Sequence, residues 1–235
     1  MTIMLTSKAN CDLILNRARG LAKGNEILIA LHDRETPAIN AYIKSLSNAC
    51  KTAGIKFINF QEGVDYGIKK EEITGVIRLK PCAENRYNHL EGFPVITKSY
   101  VAEAVSTQLG SAFCNTDIKI YGPEVLVIGR SEDVGKAIAK RLSRFGWTVR
   151  MAGRNLREDI LTERCLDADI IVSATGQKDL ITAKRMRFNQ TLIDVGGGDI
   201  NIDDALKVGV QAVTPKVGGI GPLTAALLVQ DLVTK

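Results

Sequence analysis

The apolar positions of this chain alternate between short continuous runs and stripes spaced three and four residues apart. Val125 to Ile128 form a run rich in β-branched residues, which predicts a strand buried on both faces of a parallel sheet. Behind it Val134, Ile138 and Leu142 recur at helical spacing beside Ala137. That stripe predicts a helix packed back on the strand, with Lys136, Lys140 and Arg141 facing water. Trp147 to Ala152 reads as the next strand and completes a βαβ unit. Asp169 to Ala174, Thr191 to Val195 and Gln211 to Thr214 read as further strands, and Pro222 opens a closing helix that runs to Val233.

The first half has the same rhythm. Asn10 to Lys23 predicts a helix with Leu13, Ile14, Ala18 and Leu21 on its apolar side, ended by Gly24. Glu26 to Leu31 is a strand, Ala38 to Ala53 a helix closed by Gly54, and Ile55 to Phe60 a strand alternating with period two. A short helix over Lys69 to Ile73 precedes a strand over Gly75 to Leu79, which Pro81 stops. Thr97 to Leu109 is helical, and Gly122-Pro123 marks a boundary. The expected architecture is two α/β domains, residues 1–121 and 122–235, the second a Rossmann-type parallel sheet, with a cleft between the domains.

Composition narrows the function classes. The 235 residues suffice for two domains with a real core, and 45% hydrophobic and 24% charged residues are ordinary for a globular chain. The net charge of +5 comes from scattered basic residues, which points to small anionic ligands and not to nucleic acid. Five cysteines, odd in number, far apart and without a C-x-x-C, indicate reduced thiols in a cytoplasmic setting. His32 and His89 stand alone, so no metal site is expected. Residues 1–10 lack a signal-length apolar region, and no run approaches the roughly 20 apolar residues of a membrane helix, so no membrane partner is expected.

The candidate chemistry sits where strands end. After Ile128 comes Gly129-Arg130-Ser131-x-x-Val134-Gly135, a turn that brings backbone N–H groups and a helix start to one point. Such a point suits a pyrophosphate. Thr175-Gly176-Gln177 follows another strand, and Gly196 opens a glycine run after Asp194-Val195. After the second strand of the βαβ unit, where an acid would read a ribose 2′-hydroxyl, the chain has Gly153-Arg154-Asn155. Arg154 and Arg130 together suit a 2′-phosphate, so the expected cofactor is NADP. Near the end, Thr214-Pro-Lys-Val-Gly218-Gly219-Ile-Gly-Pro222-Leu-Thr224 has more glycine than a helix cap needs and lets backbone approach a flat ligand.

These pieces together resemble the methylenetetrahydrofolate dehydrogenase/cyclohydrolase family, the bifunctional FolD proteins. The resemblance is carried by Gly129-Arg-Ser-x-x-Val-Gly135, by Ala174-Thr-Gly-Gln177 with Asp194-Val-Gly196, and most specifically by Gly218-Gly-Ile-Gly-Pro-Leu-Thr224. Pro37-Ala38, Tyr42 and Gly54 extend it through the first half. It implies a catalytic substrate domain over residues 1–121, an NADP-binding domain over 122–235, a folate-type pterin substrate and a homodimer. It also implies cofactor contacts at Gly129, Arg130, Ser131, Val134, Gly135, Arg154, Thr175, Gly176 and Gly196. Substrate contacts are implied at Tyr42, Glu91, Gly218, Gly219, Pro222 and Thr224, with Tyr42 also catalytic.

The departures are as informative. The family motif Tyr-x-x-x-Lys becomes Tyr42-Ile-Lys-Ser-Leu46, so leucine occupies the lysine position, and Lys44 lies on the opposite helical face. A family serine becomes Ile39, a glutamine falls at Leu79, and the aspartate of an Asp-Gly-Phe segment becomes Glu91. The chain is also shorter between Pro81 and Gly92 and at its C-terminus. Hydrolysis of a methenyl bridge needs positioned polar groups, whereas hydride transfer needs mainly a well-held cofactor and substrate. The expected activity is NADP-dependent oxidation of 5,10-methylenetetrahydrofolate to the methenyl form, with cyclohydrolase activity lost or weak. Two alternatives stay open: a non-catalytic relative that binds NADP or a folate, and an oxidoreductase for another small substrate, of the two-domain shikimate dehydrogenase kind.

Overall fold

Parallel strand pairing organises both units of the computed structural model, which describes residues 2–32, 35–60, 67–79, 92–115, 122–153 and 155–234. One unit comprises Met1–Asn10 and Ser99–Thr224, the other Cys11–Lys98 and Ala225–Lys235. The units therefore interleave along the chain, whereas local composition marks one step at Gly122-Pro123. Pairing at a distance is the reason. Strand β1 (Ile3–Met4) lies parallel to β10 (Ala212–Val213), with Ile3 opposite Ala212. Helices α1 (Lys8–Leu21) and α7 (Ile220–Val233) each begin in one unit and end in the other.

The larger sheet contains β6 (Glu124–Ile128), β7 (Thr148–Ala152), β8 (Ile170–Ser173) and β9 (Thr191–Asp194), in the order β1-β10-β9-β8-β6-β7. Val125 to Ile128 and Ile170 to Val172 are at most 1% exposed, as runs buried on both faces should be. Each such side chain contributes about 1.5–3 kcal/mol of burial free energy. Two helices the apolar runs did not announce, α5 (Glu158–Asp167) and α6 (Ile202–Val208), accompany this sheet. Leu161, Cys165 and Ala205 from these helices join Leu126, Ile128, Ile171 and Leu192 in one core. The strand order reverses at β6: β7 lies on one side of it and β8 on the other.

In the other unit β3 (Lys56–Asn59), β2 (Ile27–Leu31), β4 (Gly75–Arg78) and β5 (Val95–Ile96) form a four-stranded parallel sheet in that order. Gly75 admits α7 closely, since a Cβ there would lie 2.6 Å from Leu232 Cδ1. Helix α2 (Pro37–Ala53) starts where Thr36 Oγ1 accepts the Ile39 N–H at 3.2 Å. It ends at Gly54, whose φ of 78° places it in the left-handed region. Two expectations need correction. The buried side of α1 is Cys11, Leu15 and Ala18, while Leu13 is 73% exposed; the helix starts earlier than expected and turns a different stripe inward. The helix expected from Thr97 is α3 (Val101–Asn115), which starts four residues later, after β5 has paired with β4.

Candidate functional site

The reversal of strand order at β6 opens a cavity of about 540 Å³ at the carboxyl ends of β6, β7 and β8, the position where open α/β sheets hold ligands. It is lined by Gly129, Arg130 and Ser131 after β6, by Gly153, Asn155 and Leu156 after β7, and by Ala174 and Thr175 after β8. Of the positions singled out in the sequence, Gly129, Arg130, Ser131 and Thr175 meet here. Gly153 and Asn155, from the end of the second strand of the βαβ unit, line it too. Ala174 opens the Ala174-Thr-Gly-Gln177 segment, whereas Leu156 carries no signal of its own beyond following a strand.

Two glycines build this turn. Gly129 has a φ of +125°, and a Cβ on it would lie 2.5 Å from the Ala174 carbonyl oxygen. A Cβ on Gly135 would lie 2.0 Å from the carbonyl oxygen of Gly129. Strand end and helix start are thus in backbone contact, which only glycine permits. The helix does not begin as a plain α-helix. Glu132–Lys136 form a π-helical turn before α4 (Ala137–Ser143), with the Lys136 N–H donating to the Ser131 carbonyl at 3.0 Å. Ser131 Oγ accepts the Gly135 N–H at 3.3 Å and caps this turn. Turns of this kind occur often at functional sites. Val134 is half-buried within it and does not line the cavity. Arg130 is exposed, with its side chain 3.7 Å from the Cβ position of Gly153, at the edge of the cavity.

Behind the cavity lie two buried carboxyl groups. Asp194, 4% exposed, accepts the N–H groups of Gly197 at 2.7 Å and Gly198 at 2.8 Å, which folds the chain sharply after β9. Burial, with Asp199 nearby, pushes its carboxyl above the ordinary carboxylate range. Asp199 accepts from Ser173 and Thr175. Gly196 packs on it, a Cβ there lying 2.1 Å from Asp199 Oδ1, and Gly176 has a φ of +68°. Neither glycine lines the cavity, though both shape the turns beside it. Sequence reasoning missed Asp199, whose only local signal is its place at the end of a glycine run.

The loop before α7 belongs to the same unit. Ser7 holds it from the far end of the chain, its N–H and Oγ both donating to the Gly218 carbonyl at 2.9 Å. Nothing near Ser7 in sequence announces this role. Gly218 has a φ of +83°, and Gly219 lies against the Pro215 carbonyl, 2.7 Å from where a Cβ would be. Pro222 is in the first turn of α7, and Thr224 Oγ1 donates to the Ile220 carbonyl at 2.9 Å.

Tyr42 lies on α2, half-buried, and burial raises its phenol so that it stays a protonated donor at neutral pH. Leu46, four residues on, is 0% exposed, and Ile39 and Leu79 are buried too. Glu91, Arg154 and His89 lie outside the described residues. Among the described residues no cluster of His, Cys, Asp or Glu could hold a metal ion, and no helix is long and apolar enough to cross a membrane. Among the described residues, Cys50, Cys114 and Cys165 stand outside any disulfide.

Residues 106–235 match the family model for the NAD(P)-binding domain of tetrahydrofolate dehydrogenase/cyclohydrolase. The bifunctional protein FolD of Leuconostoc citreum is 28% identical over 212 residues, which cover 86% of this chain and 74% of the relative. Among solved structures, the FolD of Trypanosoma brucei, complexed with NADP cofactor and an inhibitor, superposes with a TM-score of 0.80 at 16% identity. The match covers 99% of this chain and 96% of that one. The NAD-dependent 5,10-methylenetetrahydrofolate dehydrogenase of Saccharomyces cerevisiae gives a TM-score of 0.73 at 16% identity, with the same coverage. At these identities the two structures establish likeness of fold.

Proposed function

The chain belongs to the tetrahydrofolate dehydrogenase/cyclohydrolase family, and on that premise we propose that it oxidises 5,10-methylenetetrahydrofolate to the methenyl form with NADP, the hydrolytic step being lost or very weak. One contrast supports this reading above all. The glycine cradle and cavity that suit a dinucleotide are intact, while Leu46, where the family pattern calls for lysine, is fully buried. Hydride transfer asks the protein mainly to bring donor and acceptor carbons together. Hydrolysis of the methenyl bridge asks for activated water and proton transfer by polar groups. Ile39, Leu46 and Leu79 offer none.

The cradle fits the cofactor on two counts: backbone approaches that exclude any Cβ, and a cavity open to the π-helical turn. Gly129, Ser131 and Gly135 would hold the pyrophosphate, Arg130 and Arg154 the 2′-phosphate, and Thr175, Gly176 and Gly196 the far half, with Val134 in the turn between. When bound, the nicotinamide supplies the hydride acceptor. Arg130 beside Gly153, with no acid among the described residues that line that edge of the cavity, favours NADP over NAD. Tyr42, as a protonated phenol, would orient the pterin and act at the reacting centre, with Glu91, Gly218, Gly219, Pro222 and Thr224 as the other contacts. Residues 1–121 would then serve as the substrate domain and 122–235 as the cofactor domain, in a cytoplasmic homodimer.

Nicotinamide absorbance, followed on mixing purified protein with methylenetetrahydrofolate and NADP or NAD, tests the reading. NADPH formation well above NADH formation, with methenyltetrahydrofolate accumulating, is the expected result. Formyltetrahydrofolate produced at the rate of an intact bifunctional enzyme would overturn the claim of lost hydrolysis. A second reading, a relative that binds without turnover, draws on the same apolar side chains at Ile39 and Leu46. NADP binding without any absorbance change would favour it.

A further inference from the structure

The cavity explains the glycine turn after β6 but leaves one buried group unused. Asp199 is 0% exposed. Its Oδ2 accepts Ser173 Oγ at 2.7 Å, the Thr175 N–H at 2.7 Å and Thr175 Oγ1 at 2.8 Å. Its Oδ1 is buried and has no hydrogen-bond partner among the described residues, and it faces Gly196, where a Cβ would lie 2.1 Å away. A buried carboxylate oxygen without a donor is costly, so a compensating interaction is to be sought.

The fold indicates where that interaction lies. Ser173 and Asp194 are register partners at the ends of β8 and β9. Asp199 therefore ties the turn after β9 to the turn after β8. Thr175 Oγ1 in its turn accepts the Gln177 N–H at 3.1 Å, so residues 174–177 are set as one piece, with Thr175 on the cavity wall. In sheets of this kind a dinucleotide lies across the carboxyl ends, its adenosine ribose at the end of the second strand. Here that strand is β7, and β8 and β9 follow on the other side of β6. The nicotinamide half then extends toward the two turns that Asp199 joins. That ring is a cation when oxidised and neutral when reduced.

Building on the dinucleotide reading above, we propose that Asp199 is a positioning residue that sets the 174–177 turn and supplies a fixed negative charge by which the site favours the oxidised over the reduced nicotinamide. Of the other charged groups at these turns, Asp194 turns its oxygens to the N–H groups of Gly197, Gly198 and Ile200. Lys216, whose Nζ is 3.8 Å from the Cβ position of Gly198, is exposed, and solvent screens its charge.

Equilibrium binding of NADP⁺, NADPH and adenosine 2′,5′-bisphosphate to the full chain tests this, with Asp199→Asn and Ser173→Ala beside the unchanged protein. Asp199→Asn is expected to weaken NADP⁺ about tenfold more than NADPH, because only the oxidised ring carries a charge for the carboxylate to attract. Ser173→Ala loosens the turn but keeps the charge, and should shift both dinucleotides by one factor. Equal losses for the two in Asp199→Asn, or no loss, overturn the proposal. Should that variant not fold, the unchanged protein decides: NADP⁺ binding at least as tightly as NADPH supports the charge, and the reverse order overturns it. A protein that ignores the adenosine bisphosphate and both dinucleotides sinks the nucleotide reading itself, and the role of Asp199 with it.

Discussion

Gly135 is the position at which one methyl group should cost most. A Cβ there would lie 2.0 Å from the carbonyl oxygen of Gly129 and 2.6 Å from its carbonyl carbon. Both atoms are backbone, so no side chain can rotate away, and the strand end or the π-helical turn must move by more than 1 Å to restore about 3.2 Å of contact distance. Overpacking of this kind costs about 1–3 kcal/mol. For a chain of this size that corresponds to a fall in Tm of roughly 2–12 °C. The same movement opens the Gly129 turn, so nucleotide affinity should fall with it. Gly20 is the matched control: it is an exposed residue of α1 with no atom within 4 Å of its Cβ position. Gly20→Ala should stabilise by about 0.4–1 kcal/mol through helix propensity and the unfolded chain. Differential scanning fluorimetry with and without NADP on both variants makes the comparison. A Gly135→Ala protein that melts with wild type and keeps its NADP-induced shift would refute the backbone contact.

Three further outcomes are expected. Arg130→Ala should weaken NADP by about tenfold, the loss of one charge-assisted contact, and NAD much less; isothermal titration with both cofactors checks this, and equal losses count against a 2′-phosphate role. Because the folded Asp194 carboxyl is raised above its unfolded value, its contribution to stability is fully present below about pH 4 and is lost as pH rises through the raised value. The advantage of wild type over Asp194→Asn should therefore shrink from acid toward neutral pH, and Tm differences that do not change with pH contradict it. Thr36→Ala removes the cap that accepts the Ile39 N–H and should cost about 0.5–2 kcal/mol in urea unfolding without altering nucleotide binding.

Much of this protein was legible in the sequence. The runs at Val125–Ile128, Asp169–Ala174 and Thr191–Val195 declare buried parallel strands because both faces of such a strand must be apolar. Gly129 and Gly135 declare a close backbone turn because no other residue fits one, and Gly54 marks the end of α2. Leu46 could be recognised as a departure by counting four residues from Tyr42.

Other features exist only in the folded chain. The two-residue β1 is too short to show a period, and its partner β10 lies more than two hundred positions away, so no local pattern could announce it. The same holds for Ser7, whose hydroxyl finds Gly218 only after that pairing has formed. The exposure of Leu13 follows from which side of α1 meets the rest of its unit, a choice that spacing leaves open. Asp199 is the clearest case. Sequence shows one acid among many after a glycine run, and only the adjacency of β8 and β9 surrounds it with Ser173 and Thr175 while leaving one buried oxygen without a donor among the described residues. Local sequence determines what each segment can form, because periodicity and turn chemistry act over a few residues. The tertiary structure decides which strand ends become neighbours, and the cavity at Gly129 and Thr175 is a product of that choice.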